Sequence, residues 1–170
     1  TGSRKLAIRR TWSRPSSATP ACPAAPDRLT FAGRPAKGAP SLLDDVAMAL
    51  PALMRAEKLT KRAARINFDW PTPEPVLEKL EEELAELKEA RASGDQEHIA
   101  EEMGDILFVM ANLARHYGID PEAALRGANE KFERRFAHIE DKLKDLGKTP
   151  SQSNLEEMDG FWNDAKAKGL

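Results

Sequence analysis

The sequence is most informative at two acidic motifs, Glu82-Glu83-Leu84-Ala85-Glu86 and Glu102-Met103-Gly104-Asp105. Each motif sets two carboxylates three residues apart inside a stretch with the apolar periodicity of an α-helix. Residues at that spacing lie on the same side of a helix, about one turn apart. We therefore predict two helices that each turn a pair of acidic side chains in one direction.

A helical wheel, drawn at about 100° per residue, places one carboxylate of each motif inside an apolar arc. Glu83 lies within the first arc, with Glu86 on its flank. Glu102 lies within the second arc, with Asp105 on its flank. The apolar positions are Val76, Leu80, Leu84, Leu87 and Ala90 in the first helix, and Ile99, Met103, Ile106, Val109, Met110 and Leu113 in the second.

Four carboxylates converging from two packed helices require a positive charge, because burying an ionised carboxylate without one is costly. A hard divalent cation with oxygen ligands meets that requirement. The alternative is a solvated acidic face with ion pairs one turn apart. We predict such a face for Glu78, Glu81, Glu89 and Glu97, whereas the repeated placement in two helices favours a metal site for the other four carboxylates.

The ordered set of motifs resembles the MazG family of nucleoside triphosphate pyrophosphohydrolases. The family hallmark is E-E-x-x-E followed, after a spacer, by E-x-x-D, and both parts are present. The resemblance covers about residues 45–165. Within it, residues 50–59 resemble the lead-in to the C-terminal domain of two-domain members. Residues 107–108 and 112–116 resemble the second core helix, and residues 128–136 resemble the nucleotide-binding segment.

One departure from two-domain members is that no earlier copy of the acidic motif precedes Ser41. We therefore expect a C-terminal catalytic domain, either without its partner domain or as a piece of a longer protein.

The resemblance implies a role for each motif residue. Mg²⁺ would be held by Glu83, Glu86, Glu102 and Asp105. Glu82 is the candidate to orient or deprotonate the water that attacks phosphorus, which in the family is the α phosphorus. The implied nucleotide-binding residues are Lys79, Asn129, Lys131, Arg134, Arg135 and Trp162.

Two of these assignments have alternatives in the residues themselves. Lys131, Arg134 and Arg135 lie within about one helical turn, so they form either a phosphate-binding cluster or a solvated basic face. Trp162 either stacks on a base or packs in the core. The resemblance favours the phosphate-binding cluster and leaves the role of Trp162 open.

The implied activity is Mg²⁺-dependent hydrolysis of nucleoside triphosphates to the monophosphate and pyrophosphate, by a homodimer. Two alternatives remain at the level of sequence. One is a non-catalytic helical module for dimerisation or nucleotide binding, and the other is a narrower all-α pyrophosphohydrolase that acts on one nucleotide type. Spacing of residues does not select the base.

Composition limits the partners. The chain has 26 Lys/Arg and 28 Asp/Glu. Residues 1–40 hold eight basic residues and one acidic residue, which leaves 18 basic and 27 acidic residues for residues 41–170. Such an acidic domain is a poor nucleic-acid binder. No apolar run approaches the roughly 18 residues of a membrane span. The single cysteine, Cys22, excludes an intrachain disulfide and fits the cytoplasm.

The chain divides at about residue 40. Residues 1–40 are rich in Pro, Ser, Ala and Arg, which predicts a disordered segment; a linker remnant is favoured over a transit peptide. Residues 41–170 are predicted to form an all-α, MazG-like antiparallel bundle. Helix starts are expected at Ser41, Pro51, Pro75, Asp95, Asp120 and, through a capping box, Ser153.

Overall fold

The computed structural model describes residues 41–170, which fold into five α-helices and one short 3-10 helix with no β-strand in that range. The predicted all-α fold is confirmed, whereas the disorder predicted for residues 1–40 lies outside the described residues. No helix in this range combines the length and apolar composition that a bilayer crossing requires. The helices are α1 (Ala52–Ala64), α2 (Glu74–Ser93), α3 (Gln96–His116), α4 (Pro121–Asp145) and α5 (Leu155–Ala167), with the 3-10 helix at Pro150–Gln152.

Helices α2 and α3 form an antiparallel hairpin that carries both acidic motifs. Gly94 ends α2 with φ at 75°, a left-handed conformation that glycine adopts without strain. Asp95 begins α3, as predicted, and its side chain accepts hydrogen bonds from the backbone N–H groups of Glu97 and His98. The two helices pack along their length because this connection is so short.

A small apolar cluster holds the open end of the hairpin together. It consists of Val76 from α2 with Val109 and Leu113 from α3, and Trp70 and Leu80 pack against it. Trp70 precedes α2, so the segment before the hairpin covers this end of it.

A polar network ties the same segment to the end of α3. The Arg115 guanidinium lies 2.6 Å from the carboxylate of Asp69 and also donates to the side-chain oxygen of the buried Asn112. His116 Nε2 lies 3.2 Å from the same Asp69 oxygen. This network could not be predicted from local sequence patterns, because Asp69 and Arg115 lie far apart in the chain.

The prediction of a helix beginning at Ser41 is wrong. Ser41 accepts a hydrogen bond from the backbone of Asp44 and donates one to its carboxylate, but these residues form a turn and no helix follows. Pro51 limits any helix here to a short one, because the residue before a proline is pushed away from helical angles. A short helix needs tertiary packing to be stable, and Val46 is the one buried residue of this stretch.

The capping box predicted at Ser153 is also displaced. Asn154 begins α5, and its side chain accepts from the backbone N–H of Glu157. Ser153 instead donates its hydroxyl to the Glu157 carboxylate. Two adjacent residues could each cap a helix, and asparagine is at least as effective a cap as serine.

Part of the apolar arc of the hairpin faces outward. Leu84, Met103 and Met110 were expected in the core, yet they lie with Leu77 and Leu107 between 41 % and 52 % exposed. The spacing of the five residues places them along one side of each helix. We call these five residues the apolar hairpin face. Helical periodicity marks an apolar surface but does not say whether the protomer itself covers it.

Candidate metal and nucleotide site

Packing of the hairpin brings three motif carboxylates together. Glu83, Glu86 and Glu102 each offer one oxygen, and these three oxygens lie within 4.8 Å of one another. Glu83 is 2 % exposed and Glu102 is 8 % exposed, while Glu86 is half-buried. The helical wheel predicted this burial, with one carboxylate inside each arc and its neighbour on the flank.

Each of the two buried carboxylates has one oxygen held by a basic side chain. Lys79 Nζ lies 2.6 Å from Oε1 of Glu83 and 3.0 Å from Oε1 of Glu82. His98 Nε2 lies 2.9 Å from Oε1 of Glu102. The second oxygen, Oε2, of both Glu83 and Glu102 is buried and has no hydrogen-bond partner within residues 41–170.

These two unsatisfied oxygens fit a divalent cation. A buried acceptor without a partner is costly, and more so when it is charged. The donor set consists of carboxylate oxygens, which suit hard cations such as Mg²⁺, Ca²⁺ and Mn²⁺. The cluster could therefore hold a divalent cation.

The electrostatics of the site reflect crowded negative charge. Burial raises the pKa of the Glu86, Glu102 and Asp105 carboxyls. The charge of Glu83 raises the pKa of each one further. Lys79 opposes the rise at Glu86 and Asp105, and the hydrogen bond from His98 opposes it at Glu102. Burial is the largest cause at each carboxyl, and burial together with repulsion outweighs what the nearby basic groups offset.

Lys79 stays charged within this cluster. Burial lowers the pKa of Lys79, but its hydrogen bonds with Glu83 and Glu82 outweigh burial, and the pKa lies above its ordinary value. One ammonium group is thus shared between two carboxylates. Glu82 itself is 37 % exposed, at the solvent side of the pair.

Asp105 lies at the edge of the cluster. It is not among the three carboxylates that converge, but it is half-buried and its pKa responds to the charges of Glu83 and Lys79. The roles of Asp105 as a ligand and of Glu82 as a base remain predictions.

A second group of predicted residues meets between α4 and α5. The guanidinium carbon of Arg135 lies 5.4 Å from the ring centroid of Trp162, within the range of a cation–π contact. Phe132 packs against the same indole, with its ring centroid 5.3 Å away. Arg135 Nε also donates to the carbonyl oxygen of Leu170, at 2.7 Å.

Of the other predicted nucleotide residues, Lys79 is buried in α2 and paired with Glu83 and Glu82, so its role at the nucleotide stays a prediction. The remaining three lie on the surface of α4. Asn129, Lys131 and Arg134 are exposed, and their roles stay predictions. The contacts described above therefore form two groups, the carboxylates on the hairpin and the arginine with its aromatic neighbours on α4 and α5.

His98 and Phe132 belong to these groups but were not predicted from the sequence. The spacing of His98, four residues before Glu102, was a usable signal because such residues face each other on a helix. Phe132 has the same spacing to Phe136, and the two rings stack at 6.0 Å. Its contact with Trp162 had no local signal, because it joins two helices.

Known proteins are similar to this chain over the region that carries both acidic motifs. Residues 71–139 match the MazG nucleotide pyrophosphohydrolase domain. The chain is 48 % identical over 139 residues to the nucleoside triphosphate pyrophosphohydrolase of Escherichia coli (strain K12), covering 81 % of this chain and 53 % of that protein. It is 40 % identical over 126 residues to the nucleoside triphosphate pyrophosphohydrolase/pyrophosphatase MazG of Thermotoga maritima, covering 74 % and 48 %. The chain thus spans about half the length of these relatives.

The raised pKa of Glu102 predicts how stability depends on pH without metal. A carboxyl whose pKa is higher in the folded than in the unfolded protein destabilises the folded state as the pH rises from about 4.5 through the pKa of the folded state. Glu102→Gln removes that destabilisation. In chelator, its melting temperature should exceed that of the wild type by a margin that grows as the pH rises above about 4.5.

The matched control is Glu89→Gln, on the exposed side of α2, whose difference from the wild type should stay constant with pH. A Glu102→Gln margin that stays constant, or shrinks as pH rises, would contradict the buried charge at this position.

Proposed function

The chain belongs to the MazG family of nucleotide pyrophosphohydrolases, and on that premise we propose that it hydrolyses nucleoside triphosphates to the monophosphate and pyrophosphate with Mg²⁺. The observation that carries this proposal is the cluster of Glu83, Glu86 and Glu102, with two buried oxygens lacking partners. A purely structural hairpin gains nothing from such charges, since apolar residues of similar volume are often equally or more stabilising.

The residues that would hold Mg²⁺ are the three clustered carboxylates, with Asp105 as a fourth from the flank. When bound, Mg²⁺ neutralises charge on the polyphosphate and makes water a better nucleophile at neutral pH. The protein's own contribution is to hold the ligands on two rigid helices, so that little reorganisation is needed when the nucleotide arrives.

Glu82 is the proposed residue for handling the attacking water. It neighbours the buried Glu83 in sequence, yet its side chain reaches solvent. A carboxylate in that position can accept a proton from water as the water attacks phosphorus. Lys79 holds Glu82 by one oxygen, and this contact orients the carboxylate.

The basic and aromatic residues of α4 and α5 are proposed to bind the nucleotide. Lys131, Arg134 and Arg135 would make charge-assisted hydrogen bonds to phosphate oxygens, and arginine can offer two parallel bonds. Trp162 is half-buried, so part of its ring is accessible to a base. Its contacts with Arg135 and Phe132 hold the indole in place for stacking.

A homodimer is proposed from the apolar hairpin face. Five large apolar side chains share this surface, and the described part of the protomer leaves between 41 % and 52 % of each exposed. Exposed apolar patches of this kind mark protein–protein contacts. The MazG resemblance favours a second copy of the chain as the partner.

Product analysis tests the reaction. With mixed nucleoside triphosphates and Mg²⁺, the wild type should release equal amounts of monophosphate and pyrophosphate, and chelator should abolish the release. Glu83→Gln should lower kcat/KM by about 100-fold or more with unchanged helicity by circular dichroism, whereas the exposed Glu89→Gln should match the wild type. Release of orthophosphate would contradict the reaction, and nucleotide binding without turnover would identify a non-catalytic module.

Substitutions on α4 test the phosphate contacts. Arg135→Ala should lower kcat/KM by about 10- to 100-fold, since a charge-assisted hydrogen bond is worth roughly 1.5–3 kcal/mol. Arg135→Lys should recover only part, because an ammonium group lacks the planar fork. Glu133→Ala, exposed on the same helix, is the control. Equal small effects of all three would show that the phosphates bind elsewhere.

Light scattering tests the dimer. The wild type should have twice the protomer mass, and Leu107→Glu combined with Met110→Glu should give a monomer because the charges would be buried without partners. Leu155→Glu, at an exposed position outside the apolar hairpin face, should leave the dimer intact. A monomeric wild type would refute this role for the face.

A further inference from the structure

The two buried carboxylates are supported in the same way. Lys79 lies four residues before Glu83, and His98 lies four residues before Glu102. In both pairs the basic nitrogen contacts Oε1, and in both pairs Oε2 is buried without a hydrogen-bond partner. The two helices thus share both the buried glutamate and the basic side chain that contacts it from four residues earlier.

Holding one oxygen restricts what a glutamate can offer a metal. A free glutamate side chain can rotate and bind a cation through one or both oxygens. With Oε1 of Glu102 occupied by the imidazole, 2.9 Å away, the other oxygen is the one that remains. Glu83 and Asp105 both repel Glu102, so without His98 the carboxylate would be free to turn away from them.

We propose that His98 is a positioning residue for Glu102. The His98 imidazole donates its Nε2 hydrogen to Oε1 of Glu102 and thereby leaves Oε2 as the single oxygen presented to a divalent cation. The inference rests on the metal site of the proposed function. It extends that site to a residue outside both acidic motifs. Donors that orient metal ligands from behind typically contribute 10- to 100-fold in metal affinity.

The competing interpretation is an ordinary ion pair on a helix surface, since the His98 side chain is 45 % exposed. Such a pair contributes little to stability and nothing to metal binding. The two interpretations therefore differ in metal affinity, which can be measured without turnover.

The experiment is calorimetric titration of the nucleotide-free protein with Mg²⁺ and with Mn²⁺. His98→Ala should weaken binding by about 10- to 100-fold, and His98→Leu, which keeps bulk but has no N–H group, should do the same. His98→Gln should recover part of the affinity, because its amide can donate to Oε1. His138→Ala is the matched control, since that imidazole contacts the Asp164 carboxylate at 2.8 Å between α4 and α5, and it should bind metal as the wild type does.

Each alternative outcome has a distinct meaning. Wild-type affinity in His98→Leu would overturn the positioning role and leave the proposed function standing. Equal losses in His98→Leu and His98→Gln would also overturn it, because the hydrogen bond would then not be the cause. A wild type that binds neither ion would overturn the metal site and this inference together.

Discussion

Electrostatic repulsion between buried carboxylates of α2 and α3 is the constraint around which this domain is arranged. Glu83 and Glu102 are almost fully buried, and Glu86 completes a cluster whose oxygens approach within 4.8 Å. Lys79 offsets part of this charge but is shared with Glu82. Proteins commonly contain energetically unfavourable groups at their functional sites, and the two buried oxygens without hydrogen-bond partners are such groups.

The rest of the hairpin keeps these charges in register. Gly94 and Asp95 fix the closed end through a left-handed turn and a helix cap. The open end is fixed by the apolar cluster around Val76 and by the contact of Asp69 with Arg115. Because both ends are anchored, the carboxylates project from rigid elements, which position ligands more accurately than loops do.

Much of this architecture could be predicted from local sequence, because periodicity and caps are local properties. The burial of Glu83 and Glu102 and the cap at Asp95 follow from them. Three kinds of feature could not be predicted. The start at Ser41 failed because Pro51 lies too near, and the exposure of Leu84 reflects a surface that the protomer does not cover. The contact of Arg135 with Trp162 joins two helices, so spacing within either one does not reveal its geometry. The proposed nucleotide site rests on the resemblance to a family, because no local pattern predicts it.

Anomalous scattering from crystals grown with Mn²⁺ would locate the ion without relying on activity. We expect a peak among Glu83, Glu86 and Glu102, with Oε2 of Glu83 and Oε2 of Glu102 coordinating the ion and with Lys79 and His98 still holding the two Oε1 atoms. A peak elsewhere on the protein, or no peak with the cluster unchanged, would contradict this expectation.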